Sequence, residues 1–159
     1  MDKKQTKGIK LILILHNHQP EGNFPEVFER TYLLAYEPFI SELERFPRLK
    51  VVLHYSGILF GWLQLNRPEF MARLRQLVSR GQIEMMGGAF FEPILAAIPD
   101  ADKIGQLEKQ TRFIRENLQV AVSGAWLAER VWEPHLAQPL AEAGISYTVV
   151  RPAWAIAWR

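Results

Sequence analysis

Cysteine is absent from the 159-residue chain. Disulfides, thiolate nucleophiles, zinc fingers and iron–sulfur ligation are thereby excluded, and the composition fits a reducing cytoplasm. An excess of either charge is also missing: 19 Lys and Arg stand against 17 Asp and Glu, a formal net charge of +2. No basic stripe interleaves with aromatics, so nothing points to a nucleic-acid partner. No apolar run approaches the roughly 20 residues that cross a bilayer, and no membrane partner is expected. The basic start MDKKQTKGIK and the apolar Ile9–Leu15 have the outline of a signal peptide. Lys10 interrupts that run, however, and His16-Asn17-His18 stands where small cleavage-site residues belong. The segment reads instead as a buried first strand.

Hydrophobic residues make up 48% of the chain and aromatics 11%, with 9 Phe, 5 Trp and 4 Tyr. That content supports one sizeable core, as a whole domain or as a piece of a larger one. Several aromatics lie beside carboxylates, a pairing that suits sugar rings as well as ordinary cores.

Short apolar, β-branched runs alternate with longer segments of helical period. Strands are expected at Ile9–Leu15, Lys50–Tyr55, Gln82–Met86, Ala121–Trp126 and Ile145–Val150. Between them, helices are expected at Phe24–Phe46, Ile58–Leu65, Pro68–Arg80, Asp100–Leu118 and His135–Ala143. Pro68 suits a first helical turn, and Gly81 suits the position just past a last one. Strands separated by helices imply a parallel sheet. A complete (β/α) barrel takes about 250 residues, so five strands make either an incomplete barrel or a whole open, doubly wound sheet.

Active sites of parallel α/β folds form at the carboxyl ends of the strands. The chain's polar residues fall there: His16, His18, His54, Glu84, Glu92, Glu129, Arg130 and Glu133. His16 and His18 alternate along extended chain and point to one side. They suit either hydroxyl recognition or a metal pair, whose third ligand would be His54, Glu84 or Glu129. Glu84 interrupts an apolar strand, which calls for a partner such as Arg130 or for sugar hydroxyls. Glu129 stands beside Arg130, between Trp126 and Trp132. A guanidinium keeps a carboxylate ionised, and an indole beside it offers a sugar-stacking surface, the needs of a glycosidase nucleophile. An ordinary surface Glu–Arg pair fits the same spacing. Gly87-Gly88 lacks the spacing of a phosphate loop and is read as a close backbone turn at a ligand.

Four segments in order, HNHQPEGNF (His16–Phe24), HYSG (His54–Gly57), GQIEMMGGAFFEPILAAIP (Gly81–Pro99) and GAWLAERVWEPHL (Gly124–Leu136), resemble glycoside hydrolase family 57, in its 4-α-glucanotransferase and α-amylase branch. The resemblance runs from about Ile9 to Val150. It implies an α/β fold of the incomplete (β/α)7 barrel type, here stopping after about five strands. It also implies retaining chemistry on α-1,4-glucans or maltooligosaccharides without a metal or other cofactor. Glu129 becomes the nucleophile. His18, Glu84 and Trp126 become sugar-binding residues, with His16, His54, Glu92, Arg130 and Glu133 as further contacts on the same rim.

The resemblance places the general acid, an Asp, well beyond the fourth segment, and no residue here matches it. Residues 1–150 are therefore expected to form the N-terminal part of a catalytic barrel, and 151–159 an atypical tail left by a frameshift or premature stop. Cleavage by this chain alone is expected to be absent, and unpaired barrel edges are expected to favour self-association. Two other readings of the residues are a non-catalytic glucan-binding protein and a metal-dependent polysaccharide deacetylase-like hydrolase.

Overall fold

The structure is a computed structural model and describes residues 9–150. The expected tail at 151–159 lies outside the described residues. Five parallel strands alternate with helices: β1 Ile14–Asn17, β2 Val51–Tyr55, β3 Ile83–Gly88, β4 Gly124–Trp126 and β5 Tyr147–Thr148. Between β1 and β2 run α1 (Pro25–Thr31) and α2 (Glu37–Arg45), joined by a wider π-type turn at Tyr32–Tyr36. The expectation of one long helix there holds, with a local bulge. Next come α3 (Gly57–Asn66), α4 (Pro68–Ser79), α5 (Asp100–Leu118) and α6 (Ala137–Glu142). Ser56 caps α3 by accepting from the Leu59 backbone N–H, Pro68 opens α4, and Gly81 takes φ +69° just after it.

The strand order is β1-β2-β3-β4-β5, with no reversal. A doubly wound sheet reverses direction at its switch point, so the open alternative fails on topology. Right-handed crossovers taken always in one direction put every helix on one face. Alternate residues then divide cleanly between the faces. Val51, Leu53, Tyr55, Ile83 and Met85 face the helices and are buried. They pack with Ile40, Leu59, Phe60, Leu63, Phe70, Leu74 and Ile114, each with no exposed surface. The other face carries Ile14, His16, Val52, His54, Glu84, Met86, Gly88, Trp126 and Tyr147, as the pairings Ile14↔Val52, His16↔His54, Val52↔Glu84 and Gly88↔Trp126 require.

The first strand departs from expectation. It begins at Ile14 rather than Ile9 and is only half-buried, while Ile9, Leu11 and Ile12 are 98%, 88% and 73% exposed. Among the described residues β1 stands at the sheet's edge, paired on one side alone, so continuous hydrophobicity there does not report burial on both faces.

Polar side chains fix the layers to one another. Gln82 donates from Nε2 to the carbonyls of Leu43 (2.7 Å) and Phe46 (3.0 Å), closing the carboxyl end of α2. Gln110 of α5 donates to the Tyr55 carbonyl at 2.7 Å. Arg73 of α4 reaches both carboxylates Glu37 and Glu44 and the Ser41 hydroxyl on α2. Buried Leu74 and exposed Leu65 separate packing from composition. Leu74→Ala should lower the unfolding free energy by about 2–5 kcal/mol in urea titration, whereas Leu65→Ala should stay within about 0.5 kcal/mol of the parent.

Candidate active site

The carboxyl ends of β1, β2 and β4 bring His16, His54 and Trp126 onto the helix-free face. His16 and Trp126 stack with ring centroids 4.5 Å apart and planes 11° from parallel. His16 and His54 are held by a hydrogen bond between their Nδ1 atoms at 2.8 Å. One of those two nitrogens must carry the proton and the other must not. His18, two residues beyond His16, pairs through Nδ1 with Glu92 Oε2. The other carboxylate oxygen of Glu92 lies 3.7 Å from His16 Nδ1 and 3.6 Å from His54 Nδ1.

Glu92 is thus the floor of the cluster, with its side chain only 7% exposed. It reaches there because the loop after β3 turns sharply, with Glu92 itself at φ +51°. Burial, reinforced by the nearby Glu129 charge, raises its pKa to about 7. Burial and the neighbouring His18 lower His16 to about 4. The fully buried His54 is pushed well below the ordinary range, mainly by burial. His18 is lowered by burial and partly restored by Glu129. Near neutral pH the three imidazoles are therefore uncharged, and Glu92 titrates.

Glu129 is exposed on the turn immediately after β4 and adopts φ +53°, followed by Arg130 at φ +54°. Its charge is felt at both Glu92 and His18. Of the residues expected at the rim, His16, His18, His54, Glu92, Trp126 and Glu129 thus share one locality. Glu84 does not join them at the rim. Its pairing with Val52 sets it one layer back from the rim on the same face, where it is exposed rather than buried and its carboxylate accepts from the Tyr147 hydroxyl. Arg130, one partner considered for Glu84, does not pair with it. Arg130 and Glu133 are exposed, and neither enters an ion pair among the described residues.

Gly87-Gly88 also differs from expectation. Both residues belong to β3 and make no turn. A Cβ on Gly88 would stand 2.8 Å from the Trp126 carbonyl and 2.9 Å from His54 Nε2, and one on Gly87 would stand 2.8 Å from Val122. The glycines let β4 and the His54 ring close against β3, which is packing rather than ligand approach. Two residues escaped sequence reading. Tyr147, the partner of Glu84, has no distinguishing motif. Gln19, buried between Tyr36, Asn23 and Ser56, fixes the loop after β1 by donating to the Tyr36 hydroxyl at 3.0 Å and accepting from Asn23 at 2.6 Å. Its place directly after His18 was the one available signal.

The raised Glu92 pKa has a signed consequence for stability. Below pH 4.5 the group is protonated folded and unfolded and costs nothing. Between pH 4.5 and about 7 the folded state holds the proton more tightly, so rising pH erodes stability. Glu92→Gln removes that erosion. Its stability relative to the parent, from urea unfolding at a series of pH values, should rise between pH 4.5 and 7 and level off above. A difference independent of pH would contradict the assignment.

Residues 12–152 match the family described as glycosyl hydrolase family 57. The chain is 47% identical over 148 residues to alpha-amylase 1 of Dictyoglomus thermophilum, covering 93% of this chain and 22% of that protein. It is 48% identical over 142 residues to the 4-alpha-glucanotransferase of Thermococcus kodakarensis, covering 89% and 22%. The crystal structure of 4-alpha-glucanotransferase from Thermococcus litoralis superposes with a TM-score of 0.85 at 47% identity, over 87% of this chain and 22% of that one. The chain therefore spans about a fifth of the length of these relatives. With the family description matching nearly all of the described residues, the chain belongs to glycosyl hydrolase family 57.

Proposed function

We propose that residues 9–150 are the nucleophile-bearing part of a retaining α-1,4-glucan-active catalytic barrel, a hydrolase or a 4-α-glucanotransferase. The observation that carries this reading is the placement of Glu129: a solvent-facing carboxylate on a left-handed turn at the end of β4, electrostatically coupled to His18 and Glu92 beside the stacked His16 and Trp126. The unreversed strand order is that of a barrel arc, and in this reading further strands close it.

In the proposed reaction the Glu129 carboxylate attacks the anomeric carbon from the face opposite the departing oxygen. The glycosidic C–O bond breaks and a glycosyl ester forms with inverted configuration. Water, or the 4-hydroxyl of an acceptor glucan, then displaces Glu129 and restores the original configuration. Water gives hydrolysis and a sugar acceptor gives transfer. Trp126 offers an apolar face to the sugar ring, and His18, held by Glu92, presents a ring nitrogen to a hydroxyl. Glu84, His16, His54, Arg130 and Glu133 are proposed as further contacts, Glu84 from the layer behind the rim. In this reading the acid that protonates a natural leaving group comes from another part of the catalytic domain. A cytoplasmic setting is proposed from the absence of cysteine.

A maltosyl fluoride needs no acid to leave, so it tests the nucleophile alone. Incubation with α-maltosyl fluoride should add one maltosyl unit to the intact mass, mapped by peptide sequencing to Glu129 and absent in Glu129→Gln. Maltotriose should remain uncleaved. A mass increase on another residue, or retained by Glu129→Gln, overturns the assignment. Binding of maltoheptaose in calorimetry with no ester formed would favour a glucan-binding protein instead.

We also propose that the chain self-associates through the exposed Ile9, Leu11 and Ile12 and the edge of β1 that no described strand pairs. Light scattering coupled to gel filtration should give a mass above the 18.4 kDa monomer that rises with concentration. A constant monomer mass overturns this.

A further inference from the structure

Glu84 is the one exposed residue of β3, whose other five positions are all buried. A long side chain in that setting samples several rotamers, and a ligand that grips it must first immobilise it. Glu84 is instead already held. Its Oε1 accepts from the hydroxyl of Tyr147, 63 residues further along the chain on β5.

That bond spans the sheet. β4 lies between β3 and β5, so the Tyr147 side chain crosses a whole strand to arrive at Glu84. The strand residue opposite Tyr147 is Gly124. A Cβ on Gly124 would overlap the Tyr147 ring and stand 2.6 Å from its hydroxyl oxygen, so glycine is what leaves the path open. The register also fixes the origin of the reach. Met86 pairs with His54, and His54 pairs with His16. Gly124 is level with Met86, one residue before the pair Gly87↔Ala125. Tyr147 therefore starts from the row of the sheet that holds both imidazoles and leans back one row to Glu84. Burial, followed by the Glu84 carboxylate, raises the Tyr147 pKa to about 12, so the phenol keeps its proton and remains a donor near neutral pH. A phenol hydroxyl has one proton to give, and an ionised carboxylate has two accepting oxygens. The bond to Oε1 thus leaves Oε2 for another donor.

We propose that Tyr147 is a positioning residue, which from β5 holds the Glu84 carboxylate in one orientation on the open face with Oε2 presented to a glucan hydroxyl. The proposal rests on the glucan reading above and adds to it a residue that acts through Glu84. Gly124 takes part by its lack of a side chain. Tyr147 has no motif of its own, and its role comes from the register of three strands.

The test uses the full chain titrated with maltoheptaose in a calorimeter. Tyr147→Phe removes one hydroxyl and keeps the ring. It should weaken binding by about 2- to 10-fold, the scale of immobilising one side chain. Glu84→Ala should weaken binding at least as much. The double variant should bind no more weakly than Glu84→Ala alone, because Tyr147 then has no carboxylate to orient. A tyrosine with a merely structural role would cost the same in both backgrounds. The pairing also has a readout that needs no glucan. At neutral pH the carbon-13 signal of the hydroxyl-bearing ring carbon of Tyr147 should move in Glu84→Ala. A parent that binds no maltoheptaose defeats the glucan reading and this proposal with it. A parent that binds, with Tyr147→Phe equal to it or equally costly in both backgrounds, overturns the positioning role and leaves the glucan reading standing. A Tyr147 signal unmoved by Glu84→Ala overturns the pairing itself.

Discussion

All crossovers from β1 to β5 run in one sense, and the division of labour in the molecule depends on that. A parallel sheet wound in one direction receives its helices on a single face. The hydrophobic set Val51, Leu53, Tyr55, Ile83 and Met85 is consumed by those helices. The alternate set is left for other uses, and it is there that histidine, glutamate and tryptophan occur. A residue shift of one in any strand would exchange the two sets, sending Leu53 to the open face and His54 into the aliphatic core. Packing therefore enforces the positions of the polar residues without any contribution from a ligand.

Within the open face, electrostatics differentiates groups of the same chemical type. Glu92 and Glu129 are both carboxylates near His18, but one is enclosed by rings and the other faces water. Burial favours the neutral form of Glu92 and, by the same mechanism, the neutral forms of His16 and His54. One carboxylate is thus enclosed and titrates near neutrality, while the other stays in contact with water. The bond between His16 and His54 needs one of the two Nδ1 atoms unprotonated, and burial, by disfavouring the charged rings, keeps it so.

The sequence carried most of the strand and helix positions because each element has a period or a punctuation mark of its own. Pro68 and Gly81 bracketed α4, and Asp100–Leu118 emerged with the expected bounds. It also carried the rim location of His16, His18, His54 and Glu129, since strand ends are where parallel folds expose polar groups. What it did not carry depends on contacts across the chain. The apolar character of Ile9–Leu13 is the same whether the strand is central or at an edge, and only pairing distinguishes them. Glu84 looked like a rim residue until register with Val52 put it a layer lower, against a tyrosine 63 residues away. Gly87 and Gly88 looked like a loop, although their need for glycine comes from Val122, Trp126 and His54, which are remote in sequence.

Backbone strain points to the same place by an independent route. Among the described residues four non-glycine positions have left-handed φ: Glu92, Gln119, Glu129 and Arg130. Gln119 ends α5, where a left-handed residue is an ordinary helix terminator. The other three lie on the two loops that follow β3 and β4, and two of them are the carboxylates of the site. A glutamate gains nothing locally from this conformation, since its Cβ crowds the backbone where glycine would not. Retaining glutamate rather than glycine at both turns is understandable only if the side chain matters more than the local cost. The left-handed turn brings Glu92 down beneath the imidazoles and leaves Glu129 facing solvent above them. The same backbone device thus sets two carboxylates in opposite environments, and burial raises the pKa of the enclosed one, Glu92.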